Sequence, residues 1–121
     1  MFGSIGMKIF IVHSLGLHDK VSAYASKLRS EGHELYVPGI DTPQSASAED
    51  ILKYNLKGIK WADEVHVIWD GVSSGTLFDM GSAYALDKPI KIIYVKDRTW
   101  YSYAKSYQGS YLGSRDEDGL E

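Results

Sequence analysis

The sequence predicts a single doubly wound α/β domain: a parallel sheet in the flavodoxin-like (Rossmann-like) order 2-1-3-4, with helices on both faces. Three observations predict it. Short apolar runs alternate with stretches of helical periodicity, in the order βαβαβαβ. Strands that alternate with helices imply parallel pairing through right-handed crossovers. The 121 residues make one domain with its own core, and they fit this strand order better than a two-half dinucleotide fold.

The first strand is Lys8-Ile-Phe-Ile-Val-His13, an apolar run of the kind buried on both faces, and it ends in the loop Ser14-Leu-Gly16. Residues 18–31 form a helix, with Val21, Tyr24, Ala25 and Leu28 at i, i+3, i+4 and i+7, stopped by Gly32. Glu34-Leu-Tyr-Val37 is the second strand, ended by Pro38-Gly39, and residues 40–46 are a loop. Ser47 with Asp50 resembles a capping box, and the helix after it carries Leu52, Leu56 and Ile59 on one face. Glu64-Val-His-Val-Ile-Trp69 is the third strand and residues 70–75 a turn. Residues 76–86 are a helix whose small residues, Gly81, Ala83 and Ala85, let it sit close to a sheet. Asp87-Lys-Pro89 breaks that helix, and residues 90–95 are the fourth strand. Beyond it, Trp100, Tyr101, Tyr103, Tyr107 and Tyr111 crowd a segment that either packs on the sheet or a partner subunit, or stacks on a base. The expected organisation is a loose arm at 1–6, a domain at 7–113 and a polar tail at 114–121, where fraying is expected.

Composition narrows the function. Hydrophobic residues make up 44% and charged residues 24%, as in an ordinary soluble domain. There is no cysteine, which removes disulfides, thiolate metal sites and cysteine nucleophiles. A net charge of -3 with no basic stripe argues against a nucleic-acid partner. No apolar run approaches the roughly 18 residues of a membrane span, and the start lacks the features of a signal peptide. The expected location is the cytoplasm. His13 and His18 lack a third partner nearby for a metal; His33 and His66 read as structural. Neither a metal nor a cofactor is expected. A flavin would need a Ser/Thr-rich loop after the first strand, and a receiver domain an acidic cluster there; the sequence has neither.

In a sheet of this order ligands bind beyond the carboxyl ends of the strands, where the order reverses. Three loops meet there: residues 13–19, 38–44 and 70–79. His13, Ser14, Gln44, Gly71, Ser73, Gly75 and Thr76 are therefore candidate binding residues. Gly71 and Gly75 permit tight turns, and Ser73 or Ser74 can cap the helix, whose free N–H groups suit a phosphate or a sugar hydroxyl. Asp70 and Asp79 are the candidate catalytic residues. A pair of carboxylates near one pocket suits glycosidic bond chemistry. The plainer reading is also open: Asp70 caps the turn and Asp79 favours the helix N-terminus electrostatically.

The run Val67-Ile-Trp-Asp-Gly71, then Ser73, Gly75-Thr76, Phe78-Asp-Met-Gly81 and Ala83-Tyr-Ala-Leu86, resembles the nucleoside 2-deoxyribosyltransferase family. Lys88-Pro89, Tyr36-Val-Pro38 with Gln44, and Asn55-Leu-Lys-Gly-Ile59 before Asp63 extend the resemblance over most of the chain. It implies that a carboxylate attacks C1′ of a deoxyribose and releases the base, after which a second base or water takes the sugar. Carried over, Asp79 is the nucleophile and Gln44 reads the base edge, while Asp70, Ser73 and Gly75 line the sugar or its 5′ group. Related nucleotide hydrolases hold a 5′-phosphate with a Ser at this turn, where Ser73 stands. The resemblance also implies a homo-oligomer, and a nucleoside or nucleotide as the partner.

The sequence departs from the family at three places. The nucleophile is normally Glu and here is Asp79. The first strand usually carries a Tyr that orients it, where Phe10 stands here. Asn55 occupies a position that often holds an acid. These departures motivate a second expectation, a nucleotide-binding or sequestering protein that kept the fold without the chemistry.

Overall fold

The computed structural model describes residues 6–96. The tail, the aromatic cluster at 100–111 and most of the expected arm lie outside the described residues. The elements are β1 (Lys8–His13), α1 (His18–Ser30), β2 (Glu34–Tyr36), α2 (Pro38–Asp41), α3 (Ala48–Trp61), β3 (Glu64–Trp69), α4 (Ser74–Ala85) and β4 (Ile90–Val95). The sheet is wholly parallel in the order β2-β1-β3-β4, the predicted order. A register shift between Val67 and Ile68 places Ile68 opposite Tyr94. Among the described residues no helix is long and apolar enough to cross a membrane.

Alternation along each strand divides the core into two layers. Phe10, Val12, Val65, Val67, Trp69, Ile90 and Ile92 pack with Ile59, Met80 and Ala83 from α3 and α4. Ile9, Ile11 and Ile68 pack with Val21, Ala25 and Leu28 from α1. Each fully buried Ile or Val side chain stabilises the fold by about 1.5–3 kcal/mol, so both faces hold the central strands in place. The α1 stripe is the expected one. Its end closes as the spacing predicts: Gly32 takes φ +95° and the His33 N–H donates to the Leu28 carbonyl.

Three local expectations are corrected. Residues 38–41, expected to lead into a loop, form a helical turn. Pro38 supplies a φ suited to the start, and the Asp41 carboxylate accepts the Val37 N–H at 2.8 Å. The inward face of α3 is Asn55, Gly58 and Ile59, whereas Leu52 and Leu56 are exposed. Gly58 decides that rotation: a Cβ there would lie 2.7 Å from the Phe10 ring, so α3 approaches the sheet along its glycine. In α4, of the three small residues only Ala83 faces the sheet; Gly81 and Ala85 are exposed. The predicted Ser47 cap is present, its hydroxyl accepting the Asp50 N–H at 3.1 Å. Lys88 secures the far end of α3 by donating to the carbonyls of Lys60 and Ala62.

Candidate functional site

A cleft of about 370 Å³ opens at the carboxyl ends of β1 and β2. His13 and Ser14 from β1 and its loop form one wall, and α2 with Thr42 and Gln44 forms a second. α3 adds Ile51, Leu52 and Asn55, and the start of α4 adds Ser73, Gly75, Thr76 and Asp79. Of the residues expected to bind or react, His13, Ser14, Gln44, Ser73, Gly75, Thr76 and Asp79 line this one space. Asp70 and Gly71 do not.

Asp79 stands on the inward stripe of α4. Thr76, Asp79, Met80 and Ala83 fall at i, i+3, i+4 and i+7, the same periodicity that buries Val21, Ala25 and Leu28 in α1. The stripe carries the carboxylate to 9% exposure. Its polar side-chain partner among the described residues is the Asn55 amide, whose nitrogen donates to Oδ2 at 3.5 Å. Burial pushes the Asp79 carboxyl up to about 6, against the smaller opposing effect of Asn55.

Asp70 has the opposite environment. Its Oδ1 accepts the N–H groups of Val72 and Ser73, and its Oδ2 accepts the Ser73 hydroxyl. Slight burial works to raise its pKa, but these donors outweigh it and hold the carboxyl below its ordinary value. Gly71 takes φ +87°, which the turn requires. The two acids are therefore not a pair over one pocket: Asp70 builds the turn, as the plainer reading has it. Asp79 lies well inside α4, beyond the first turn where that reading put its effect. Ser73 is the N-cap residue of α4 by position, yet its hydroxyl serves Asp70 and makes no cap bond.

Ser14 ties the loops together. Its backbone N–H donates to the Ile68 carbonyl, and its hydroxyl accepts the Asp70 N–H at 2.9 Å and lies 3.5 Å from the Thr76 hydroxyl. His13 Nε2 accepts the Gly39 N–H at 3.1 Å, which places the ring proton on Nδ1, facing the Ser14 carbonyl. Burial, aided by His18, lowers the His13 pKa and keeps the ring neutral, although the Ser14 carbonyl works the other way. Gly39 is needed for this contact, because a Cβ there would lie 2.9 Å from the imidazole. Gln44 donates both amide protons, to the carbonyls of Pro38 and Thr42, so its Oε1 is left as an acceptor at the cleft.

Sequence reasoning missed Thr42 and the inward turn of Asn55. Thr42 is 2% exposed, accepts from Tyr36 at 2.6 Å and donates to Asn55 Oδ1 at 2.8 Å. A signal for Asn55 was present: it lies three and four residues before Gly58 and Ile59, on their stripe. Among the described residues no group of three or more His, Asp or Glu could hold a metal. His66 is the structural residue it was read as, bonded to Tyr24 at 2.6 Å and Glu64 at 2.9 Å on the α1 side of the sheet.

The model of the family described as nucleoside 2-deoxyribosyltransferase matches residues 11–117. The chain is similar in structure to a 2-deoxyribosyltransferase from the psychrotolerant bacterium Bacillus psychrosaccharolyticus. The TM-score is 0.61 at 23% identity, over 93% of this chain and 82% of that one. It is also similar to a 2-deoxyribosyltransferase from Leishmania mexicana, with TM-score 0.57 at 22% identity, over 75% of this chain and 65% of that one. At these identities the likeness speaks for the fold. No curated protein matches the chain.

Proposed function

The chain belongs to the nucleoside 2-deoxyribosyltransferase family, and from that premise we propose that it breaks the N-glycosidic bond of a deoxynucleoside or its 5′-monophosphate, with Asp79 as nucleophile. The observation that carries the reading is a carboxylate, alone among the described residues, at the wall of a cleft of nucleoside size, on a helix stripe otherwise given to packing. An Asp oxygen forms a bond to C1′ as the C1′–N bond breaks. The electron pair leaves with the base, which takes a proton from water. A second base, or water, then attacks C1′ and frees the carboxylate.

Other side chains fit subsidiary roles. Gln44 Oε1 is free to accept a proton from a base edge. Ser73, Gly75 and Thr76 open α4, whose first N–H groups suit the 5′ group. Asp70 supports that group through the turn it builds. His13 and Ser14 bound the sugar side. A cytoplasmic homo-oligomer fits the same reading; the exposure of Leu15, Ile40, Val72 and Phe78 supports the association of copies.

A second reading is a binding protein that returns its nucleotide unchanged. It is favoured by Phe10, which is wholly buried and brings no hydroxyl to Asp79. One assay separates the two. The protein is incubated with deoxynucleosides and their 5′-monophosphates, with and without a free acceptor base, and the products are resolved by chromatography. Release of base that vanishes in Asp79→Asn supports the enzyme, and a requirement for the acceptor marks a transferase. Intact substrates, with a rise in melting temperature for one of them, support the binding protein.

A further inference from the structure

We propose that Thr42, held by Tyr36, is a positioning residue that fixes the Asn55 amide so that its N–H, and not its carbonyl, faces the Asp79 carboxylate. The inference rests on the reading of Asp79 as the reacting group.

Proton counting gives the direction of the relay. Thr42 has one hydroxyl proton, and it goes to Asn55 Oδ1 at 2.8 Å. The Tyr36 hydroxyl, 2.6 Å from the same oxygen, must therefore donate to it. With its carbonyl occupied, Asn55 has only Nδ2 to offer Asp79 Oδ2. Without the Thr42 hydroxyl, the amide could turn over and set its oxygen against the carboxylate.

The relay starts from a fixed point. The Tyr36 ring stacks on Phe10, with centroids 5.3 Å apart and planes 7° from parallel. Gly58 closes over both rings, since a Cβ there would meet Phe10 at 2.7 Å and Tyr36 at 3.1 Å. A ring clamped on a central strand holds its hydroxyl in one place, and each bond passes that position on. In this chain Phe10 cannot orient the carboxylate itself; it orients the tyrosine at the far end of the relay.

Among the described residues, the groups around Asp79 leave few competing influences. From β1 the titratable group at the cleft is His13, and from the β2 side it is the Tyr36 phenol through Thr42. α3 presents the uncharged Asn55, and α4 lines the cleft with no charged residue besides Asp79 itself.

The test uses the full chain as wild type, Thr42→Val, Thr42→Ser and Tyr36→Phe. The Asp79 carboxyl is titrated by carbon-13 NMR, its signal assigned by comparison with Asp79→Asn. Base release is measured with deoxyadenosine, deoxycytidine and their 5′-monophosphates. Thr42→Val should raise the Asp79 midpoint by about half a pH unit or more. It should lower kcat about tenfold with KM little changed. Thr42→Ser should restore both values, and Tyr36→Phe should give a smaller shift in the same direction. An unmoved midpoint in Thr42→Val, or a shift that Thr42→Ser leaves in place, overturns the relay. If Thr42→Val does not fold, Tyr36→Phe decides alone, because it keeps the ring stack and removes one proton donor. Base release that survives Asp79→Asn would defeat the nucleophile reading, while the carboxyl titration would still decide the relay.

Discussion

Asn55 on α3 reaches Asp79 on α4 with its amide nitrogen 3.5 Å from Oδ2, the polar side-chain contact of that carboxylate among the described residues. One long, uncharged contact compensates little for burial. Burial therefore holds the carboxyl above its usual range, at about 6. A carboxylate so raised is a stronger base than an exposed one, and it remains ionised at neutral pH.

Rate should follow that ionisation. Attack on C1′ needs the anion, so base release should rise with pH along an acid limb centred near 6. Single-turnover release measured from pH 4.5 to 8 checks this. A flat profile over that range would remove Asp79 from the chemical step.

Stability should run the other way. The folded pKa of Asp79 lies above its unfolded value, so its contribution is fully present below about pH 4 and is lost as pH rises through about 6. Asp79→Asn removes the buried charge and should stabilise the protein at pH 7.5 by on the order of 2–3 kcal/mol. The advantage should vanish below about pH 4. Urea unfolding of the two proteins at both pH values measures it; equal stability at pH 7.5 would mean the charge is better solvated than its burial implies.

Gly58→Ala should destabilise the fold by about 1–3 kcal/mol, because the added methyl meets the stacked Phe10 ring at 2.7 Å. Phe10→Leu in the same chain should recover part of that loss by clearing the space. Thermal melts of the single and double variants give the coupling between them.

Ser73→Ala breaks one hydrogen bond, to Asp70 Oδ2, at a half-buried position, and should cost no more than about 1 kcal/mol of stability. Its effect on substrates should be selective: a higher KM for deoxynucleoside 5′-monophosphates and little change for the free nucleosides. Equal changes for both would place the 5′ group away from this turn.

The sheet order was legible because each strand is a short apolar run with a helical stripe behind it, and parallel pairing follows from that alternation alone. The position of Asp79 was legible in outline, since Thr76, Met80 and Ala83 share its stripe. The face of α3 was not. Leu52 and Leu56 outweigh Asn55 and Gly58 on any hydrophobic count, yet the close approach of Gly58 to Phe10 sets the helix rotation and leaves both leucines exposed, Leu52 at the cleft wall. The separation of Asp70 from the cleft that Asp79 lines was not legible, because proximity in sequence does not reveal which backbone N–H groups a carboxylate will collect. The Tyr36–Thr42–Asn55 relay depends on three separate segments meeting, which no local pattern encodes.

The cleft walls come from residues as far apart in the chain as His13 and Asp79, and the parallel sheet brings the ends of its strands together there. The cleft therefore exists only in the completed domain, so a molecule that occupies it discriminates between folded and unfolded chains. Occupancy at a hundredfold excess over Kd adds about 2.7 kcal/mol to unfolding, whatever chemistry follows. A marginally stable variant of this protein would then persist in proportion to the supply of its own ligand.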